Sequence, residues 1–159
     1  MNIKTNKNLN QPLILIRPSC YIKSRQWWTK TTKELKELIE TVLPKTKYKW
    51  VKELSYSLVL TNNKEIQKLN KQFRNINKPT DVLSFYLKKK EQINQKYLGD
   101  IIISIKKAKE QSFNKNQPLE EELKMLLIHG YLHLIGYDHQ VKKEAKIMFA
   151  LQDKILKRL

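Results

Sequence analysis

Apolar positions along the chain recur with two different periods. A helical period, with an apolar residue at every third or fourth position, predicts helices at residues 31–43, 62–74, 105–113, 118–136 and 141–157. Short apolar runs rich in β-branched residues predict strands at residues 12–17, 54–61, 82–86 and 99–104. The polar stretches 75–80 and 88–95 are expected to be loops. This pattern is typical of a single-domain α+β protein, in which a small mixed sheet packs with about five helices.

Residues with strong positional preferences mark where several helices begin. Asn62 or Asn63 is expected to cap the helix that ends near Arg74, and Ser104 is expected to cap the next one. Pro118 suits the first turn of the following helix, because its missing N–H has no partner there in any case. The glutamates at 120–122 then complement the positive end of the helix dipole.

The two ends of the chain carry separate predictions. Residues 1–30 are expected to form a basic N-terminal extension with the first strand, and residues 31–159 a single functional domain. Trp27 and Trp28 are expected to cover the edge of the core. The last helix is expected to pack through Ile147, Phe149 or Leu151, and Ile155.

Size and cysteine content limit the class of protein. A chain of 159 residues can bury a core without disulfides, and the single Cys20 excludes an internal one. No segment approaches the roughly 18 apolar residues of a membrane span, and residues 1–12 lack the apolar stretch of a secretory signal. We therefore expect no membrane partner and a cytoplasmic location, or the plastid stroma if the protein is organellar.

The formal net charge of +17 is the strongest compositional signal, and no acidic residue precedes Glu34. Such a charge is expected of a protein that binds a polyanion, most simply nucleic acid. Compositional drift is the alternative, because 28 lysines against 4 arginines is what an AT-rich genome would produce. Drift accounts for the lysine bias but not for the shortage of acidic residues.

All three histidines of the chain, His129, His133 and His139, fall within eleven residues. Residues four apart project from the same face of a helix, so the first two rings can converge on one point. Gly136 suits the end of that helix, where a positive φ lets the chain turn and carry His139 back toward the other two rings. The spacing therefore predicts a three-histidine metal site.

Three imidazoles with an open fourth position are the ligand set of a catalytic zinc site. A closed structural site would be expected to use several cysteines, and the chain has one. We expect one Zn²⁺ per chain, with a bound water whose pKa is lowered toward about 7.

The same histidine spacing occurs in metzincin proteases, which carry a glutamate as general base directly after the first histidine. Gly130 occupies that position here. Asp138 cannot replace the glutamate, because it lies beyond the helix end next to His139. It is expected to contact water or a metal ligand instead. The missing base disfavours peptide hydrolysis.

Three blocks of the chain add to the histidine motif: Leu69–Arg74 continuing through Pro79–Phe85, Leu98–Ser104, and Ile128–His139 followed by Met148 and Phe149. Together they resemble the YbeY family, which comprises bacterial and organellar single-domain, metal-dependent endoribonucleases that act as ribosomal RNA maturation factors. The resemblance runs from about residue 54 to the C-terminus. Tyr86 stands where the family usually has proline, and the N-terminal third, including Trp27 and Trp28, shows no clear match.

The resemblance implies a zinc cleft between the histidine helix and the sheet, with the zinc held by His129, His133 and His139. Arg74 matches the family's functional arginine, so Arg74 and His133 are the expected catalytic residues, and Arg74 and Lys78 are expected to bind substrate. A guanidinium offers bidentate geometry and fixed charge to a phosphate oxygen. For Thr80 and Asp81, a contact with the site and a turn role both remain open.

The implied function is zinc-dependent cleavage of single-stranded RNA in the maturation of the small-subunit ribosomal RNA 3′ end, with the small ribosomal subunit and its proteins as partners. Residues 31–159 would then be a metal-dependent endoribonuclease domain. Two alternatives remain. One is a non-catalytic ribosomal RNA assembly factor with a structural zinc, and the other is a zinc hydrolase of peptides.

Overall fold

The computed structural model of the chain describes residues 13–16, 25–43, 51 and 54–159. The elements in chain order are β1 (Leu13–Ile16), α1 (Arg25–Val42), β2 (Ser55–Thr61), α2 (Asn63–Arg74), β3 (Val82–Tyr86), α3 (Lys89–Gln95), β4 (Tyr97–Ser104), α4 (Ile105–Asn114), α5 (Leu119–Leu134) and α6 (Lys142–Leu156). The strands form one four-stranded sheet in the order β1-β2-β4-β3. Pairing is parallel from β1 to β2 and from β2 to β4, whereas β3 is antiparallel to β4. The α+β class and the mixed sheet are thereby confirmed.

One face of the sheet is covered by α5. Ile14, Leu58, Ile101 and Ser84 are consecutive register partners across the four strands, and the first three are buried. A Cβ placed on Gly130 of α5 would lie 2.7 Å from Ile101 Cγ2 and 3.1 Å from Ser84 Oγ. Helix α5 therefore approaches this row closely, and its middle lies over β3 and β4.

The opposite face is covered by α2. Its row of register partners is Leu15, Val59, Ile102 and Leu83, and Ile66 of α2 packs on this row. Leu15, on the edge strand β1, is 37% exposed, whereas Leu83 is 4% exposed and Ile66 is fully buried. This second core is small and is concentrated beside β3, the other edge strand.

Polar side chains anchor both ends of α5. Near its first turn the buried carboxylate of Glu122 accepts hydrogen bonds from Lys115 Nζ, at 2.9 Å, and from Gln117 Nε2. Near its last turn Gln92 Nε2 of α3 donates to the carbonyl oxygens of Leu134, at 2.8 Å, and Leu98, at 3.0 Å. Buried polar groups need such partners, so these contacts fix where α5 lies on the sheet.

The expected helix caps are confirmed. Asn62 Oδ1 accepts from the Glu65 N–H at 3.0 Å, and Ser104 Oγ accepts from the Lys107 N–H at 3.4 Å. Helix α2 ends at Arg74, as predicted, because Asn75 adopts a left-handed conformation with φ of 58°. Trp28 is completely buried and Trp27 packs against the same core, so their predicted core role is also confirmed.

The prediction of a loop at 88–95 was wrong, because Lys89–Gln95 forms α3. Its only long apolar side chain, Ile93, is 48% exposed, so the segment has no apolar stripe from which a helix could be predicted. The helix packs instead through Gln92, which is 3% exposed. With α3 included, the described residues contain six helices rather than about five.

Two further helix assignments need correction. Helix α1 begins at Arg25, six residues before the predicted start at Thr31. The division of the chain at residue 30 stays a prediction, although α1 runs across it.

In α6 the buried stripe is Met148, Gln152 and Ile155. Of the residues expected to pack, Ile147 and Phe149 are exposed, Leu151 is partly buried against the core and Ile155 is fully buried. Within the described ranges, no helix is both long and apolar enough to cross a membrane.

Candidate metal centre

Helix α5 holds the first two histidines at fixed positions. Most of its circumference is buried, and the buried residues include Ile128, Gly130 and Leu132, which are next to the histidines in the sequence. His129 and His133 occupy its half-buried strip. Since residues four apart lie on one face of a helix, the two rings are neighbours, with centroids 4.7 Å apart.

The turn after α5 returns the third histidine, as the sequence predicted. Gly136 has a φ of 92°, and the N–H of Tyr137 donates to the carbonyl of Leu132 at 3.0 Å. Asp138 Oδ1 then accepts from the backbone N–H of His139 at 2.7 Å, which stabilises the backbone conformation at His139. The centroid of the His139 ring lies 5.0 Å from the centroid of the His133 ring and 5.2 Å from that of the His129 ring.

The three histidines form a group that could hold a metal ion. One ring nitrogen from each lies within 4.8 Å of the other two. The Nε2 atoms of His129 and His133 are 3.2 Å apart, and two nitrogens bound to one tetrahedral zinc would be separated by roughly 3.3 Å. His139 is exposed, so the group faces solvent on that side. The donor set and its spacing therefore fit zinc.

Helix α6 supports two of the candidate ligands from outside the group. Gln152 Oε1 accepts from Nδ1–H of His129 at 3.0 Å. This tautomer leaves Nε2 of His129 unprotonated toward the group. The Phe149 ring stacks on His139, with centroids 5.9 Å apart and an interplanar angle of 17°. Sequence reasoning missed Gln152; a glutamine four residues after Met148 on the helical stripe was the available signal.

The electrostatics keep two of the rings neutral at pH 7. Burial, with the neighbouring His129 and His139, lowers the pKa of His133 to about 4. Burial also lowers the pKa of His129, although its hydrogen bond with Gln152 and the charge of Asp81 act in the opposite direction. Neutral imidazole is the form that coordinates a metal.

Asp81 occupies a structural turn beside the group. Its carboxylate accepts from Gln111 Nε2 at 2.9 Å, from the Val82 N–H at 2.8 Å and from the Thr80 hydroxyl at 3.0 Å. Burial raises the pKa of Asp81, but these hydrogen bonds outweigh it and leave the pKa below its ordinary value. For Thr80 and Asp81 the contacts thus show the turn role. Asp81 also acts on the group through its charge, which raises the pKa of His129.

The predicted substrate-binding residues lie on the segment that leads to Asp81. Arg74 is the last residue of α2, and Lys78 lies in the loop that follows. Both side chains are exposed. Among the described residues the Arg74 side chain makes no hydrogen bond or ion pair. Its guanidinium is available to a ligand, and its catalytic role stays a prediction.

The position that carries glutamate in metzincin proteases has no room for a side chain here. Even a Cβ on Gly130 would meet Ile101 Cγ2 at 2.7 Å, and a carboxylate would be forced between α5 and the sheet. The missing base is therefore a consequence of how closely α5 packs. It removes the structural basis for peptide hydrolysis by that mechanism.

Comparison with known proteins gives a consistent result. The sequence matches the family described as endoribonuclease YbeY over residues 21–159. A relative of that name from Sulfurihydrogenibium sp. is 44% identical over 162 residues, covering 100% of this chain and 97% of the relative. Another from Acholeplasma laidlawii is 42% identical over 127 residues, covering 80% and 88%. The solution structure of TM1509 from Thermotoga maritima has a TM-score of 0.56 and 32% identity, covering 91% of this chain and 87% of that one.

The fold and the histidine group define a single-domain α+β protein with a candidate metal centre on its central helix. The matches over nearly the whole length add the particular family: the chain belongs to the endoribonuclease YbeY family, whose members are hydrolytic nucleases. The family match begins at residue 21, so the expectation that the N-terminal third has no clear match was wrong. Within the matched range, Trp28 and Leu35 of α1 are completely buried in the core.

Proposed function

We propose that this protein is a zinc-dependent endoribonuclease that cleaves single-stranded RNA during ribosomal RNA processing, with the 3′ end of the small-subunit RNA as its substrate. The observation that carries the proposal is the convergence of His129, His133 and His139, whose ring nitrogens lie within 4.8 Å of one another. Membership of the endoribonuclease YbeY family supports the nuclease activity.

Each residue of the site has a defined part in this proposal. His129, His133 and His139 would hold the zinc, which when bound would supply Lewis-acid chemistry for attack of water on the phosphodiester near neutral pH. Gln152 keeps the lone pair of His129 Nε2 directed toward the metal position. The fixed charge of Arg74 stabilises the negative charge that develops on the phosphoryl oxygens, and Lys78 holds the flanking backbone.

The charge of the molecule supports RNA rather than a neutral substrate. The net charge of +17 favours a polyanion, and the described structure provides no space for a glutamate base at Gly130. Both observations count against the peptide hydrolase. An assembly factor that only binds RNA would use the same charge, so activity must separate it from the nuclease.

The test is cleavage of matched substrates by the purified zinc-loaded protein. A single-stranded RNA, the same RNA in a duplex, a DNA of the same sequence and a precursor of the small-subunit 3′ end are incubated with wild type and with His133→Ala. We expect cleavage of the single-stranded RNA and of the precursor by wild type alone. Binding of RNA without cleavage would support the assembly factor and contradict the nuclease.

A further inference from the structure

The last turn of α2 and the loop after it expose two large apolar side chains. Phe73 is 57% exposed and Ile76 is 43% exposed. The Phe73 ring lies edge-on to the ring of Phe85 on β3, with centroids 4.9 Å apart and an interplanar angle of 63°. Phe85 thus packs against the Phe73 ring from the side of the sheet, and Phe73 is still more than half exposed to solvent.

Three cationic residues lie beside these two side chains in the sequence. Lys71, Arg74 and Lys78 are all exposed on the same segment, and no acidic residue lies between Glu65 and Asp81. We name Lys71, Phe73, Arg74, Ile76 and Lys78 the aromatic–cationic surface. Its charge complements a polyanion, and its apolar centre suits a ligand with flat, weakly polar faces.

The backbone beneath this surface is fixed by hydrogen bonds. Asn70 is 3% exposed, and its Nδ2 donates to the carbonyl of Lys78 at 2.7 Å. Gln67 Nε2 donates to the carbonyl of Asn77 at 3.2 Å. At the end of α2, the N–H of Asn75 donates to the carbonyl of Lys71 at 3.1 Å. A surface that is ordered before binding loses little conformational entropy when a ligand arrives.

The aromatic–cationic surface and the candidate metal centre adjoin the same edge strand, β3. Phe85 follows Ser84 in β3, and Ser84 Oγ lies 3.1 Å from the position a Cβ would take on Gly130, the neighbour of His129. The loop that carries Lys78 leads to Asp81, whose charge raises the pKa of His129. Ser84 and Phe85 point to opposite faces of β3, and β3 is an edge strand of the described sheet, so the two sites lie on the two sides of that one strand.

We propose that Phe73 stacks against one base of the single-stranded RNA that the metal centre cleaves, while Lys71, Arg74 and Lys78 contact the adjoining phosphates. The inference rests on the proposed function and adds the subsite that holds the strand beside the metal. Stacking of a base on an aromatic side chain tolerates any sequence, because every base has a π-face. It also selects unpaired RNA, since a base inside a duplex cannot reach the ring.

The experiment measures the affinity of the zinc-loaded protein for a single-stranded RNA by fluorescence anisotropy. Phe73→Ala removes the ring, Phe73→Leu keeps apolar contact with Phe85 without an aromatic face, and Phe73→Trp keeps the aromatic face. Phe113→Ala is the matched control, because Phe113 on α4 is 86% exposed and lies outside the aromatic–cationic surface. Melting temperatures show that each variant is folded.

We expect Phe73→Ala and Phe73→Leu to weaken binding roughly 5- to 150-fold, the scale of one lost base stack, and Phe73→Trp and Phe113→Ala to bind as wild type. A set of RNAs with a single abasic position, moved along the strand, supplies the specific readout. An abasic site at one position should weaken RNA binding by wild type but cause no additional loss of affinity in Phe73→Ala.

Unchanged affinity of folded Phe73→Ala would overturn the stacking role, and so would additive losses from the abasic site and the substitution. Either result leaves the nuclease proposal intact if wild type still cleaves RNA. Conversely, coupling between Phe73 and one abasic position in a protein that does not cleave would keep the stacking subsite and remove the nuclease. A surface that docks a protein instead would give the first result, with RNA affinity unchanged.

Discussion

At the scale of single residues, Gln152 determines which nitrogen of His129 faces the candidate metal. We expect Gln152→Leu to lower zinc affinity about 10- to 100-fold, because the ring loses the acceptor that holds its tautomer and orientation. Gln152→Glu retains an acceptor at the same place and should keep or raise the affinity. A competition titration against a chromophoric chelator measures both. Wild-type affinity in folded Gln152→Leu would show that the hydrogen bond to His129 has no such role.

Arg74 distinguishes an enzyme from a binding protein. Because its side chain is exposed and makes no hydrogen bond or ion pair within the described structure, Arg74→Ala should keep the melting temperature and the zinc content of wild type. RNA affinity should fall modestly, since lysines share the contacts with the backbone. Single-turnover cleavage should fall about 100-fold or more, the effect of removing one preorganised stabilising donor.

Two further variants define the role of Arg74. Arg74→Lys should recover little activity, because an ammonium lacks the bidentate geometry of a guanidinium. Arg158→Ala removes an exposed arginine beyond the end of α6 and should cleave as wild type. If Arg74→Ala cleaves normally while His133→Ala does not, the metal centre acts without this arginine.

The sequence was informative about residues where chemistry requires a fixed spacing. His129 and His133 are four apart on a helix, and Gly136 has the positive φ that the turn to His139 needs, so the spacing alone was enough to predict the group. Gln152 could not be assigned in the same way. It approaches His129 from a helix 23 residues further along the chain, and only tertiary packing brings the two together.

At the scale of elements, the position of α5 on the sheet depends on Gly130. Gly130→Glu would restore the residue of a metzincin protease, but we expect it to destabilise the fold by about 3 kcal/mol or more, because the side chain overpacks the contact with Ile101 and buries an unpaired carboxylate. Gly130→Ala should cost less, since alanine favours the helix and adds only a Cβ. Urea unfolding with a common m-value measures both.

The contrary result would be a Gly130→Glu protein as stable as wild type, which would mean that α5 can move away from the sheet.

The elements themselves were predictable to different degrees. Helix α2 has an apolar stripe and two clear ends, and was placed correctly from Asn62 to Arg74. Helix α3 was missed and the stripe of α6 was misassigned for one reason: in both, a glutamine makes the buried contact, at Gln92 and Gln152.

At the scale of the whole molecule, the net charge of +17 should make RNA binding depend steeply on salt. If four cations contact the phosphates of a single strand, affinity should fall about 50-fold between about 50 and 200 mM monovalent salt, because condensed counterions are released on binding. Anisotropy titrations at several salt concentrations give the slope. Affinity that is flat over this range would assign the charge to compositional drift rather than to a polyanion partner.

The overall architecture follows from the sequence more readily than the location of the substrate. Apolar periodicity predicts the strands and most of the helices, but the mixed strand order places the end of α2 on the far side of edge strand β3 from the histidines. The relation between Phe73, Arg74 and the metal centre depends on that order. No local pattern in the sequence specifies it.

The central claim is that the three-histidine group binds the zinc with which this protein cleaves RNA. The most direct test is a titration of the metal-free protein with Zn²⁺, in which the single-turnover cleavage rate of a single-stranded RNA is followed. We predict that the rate rises in proportion to added zinc, levels off at about one equivalent, and stays at background in His133→Ala throughout. Cleavage by metal-free wild type at the rate of the zinc-loaded protein, or by zinc-loaded His133→Ala at the wild-type rate, would contradict the claim.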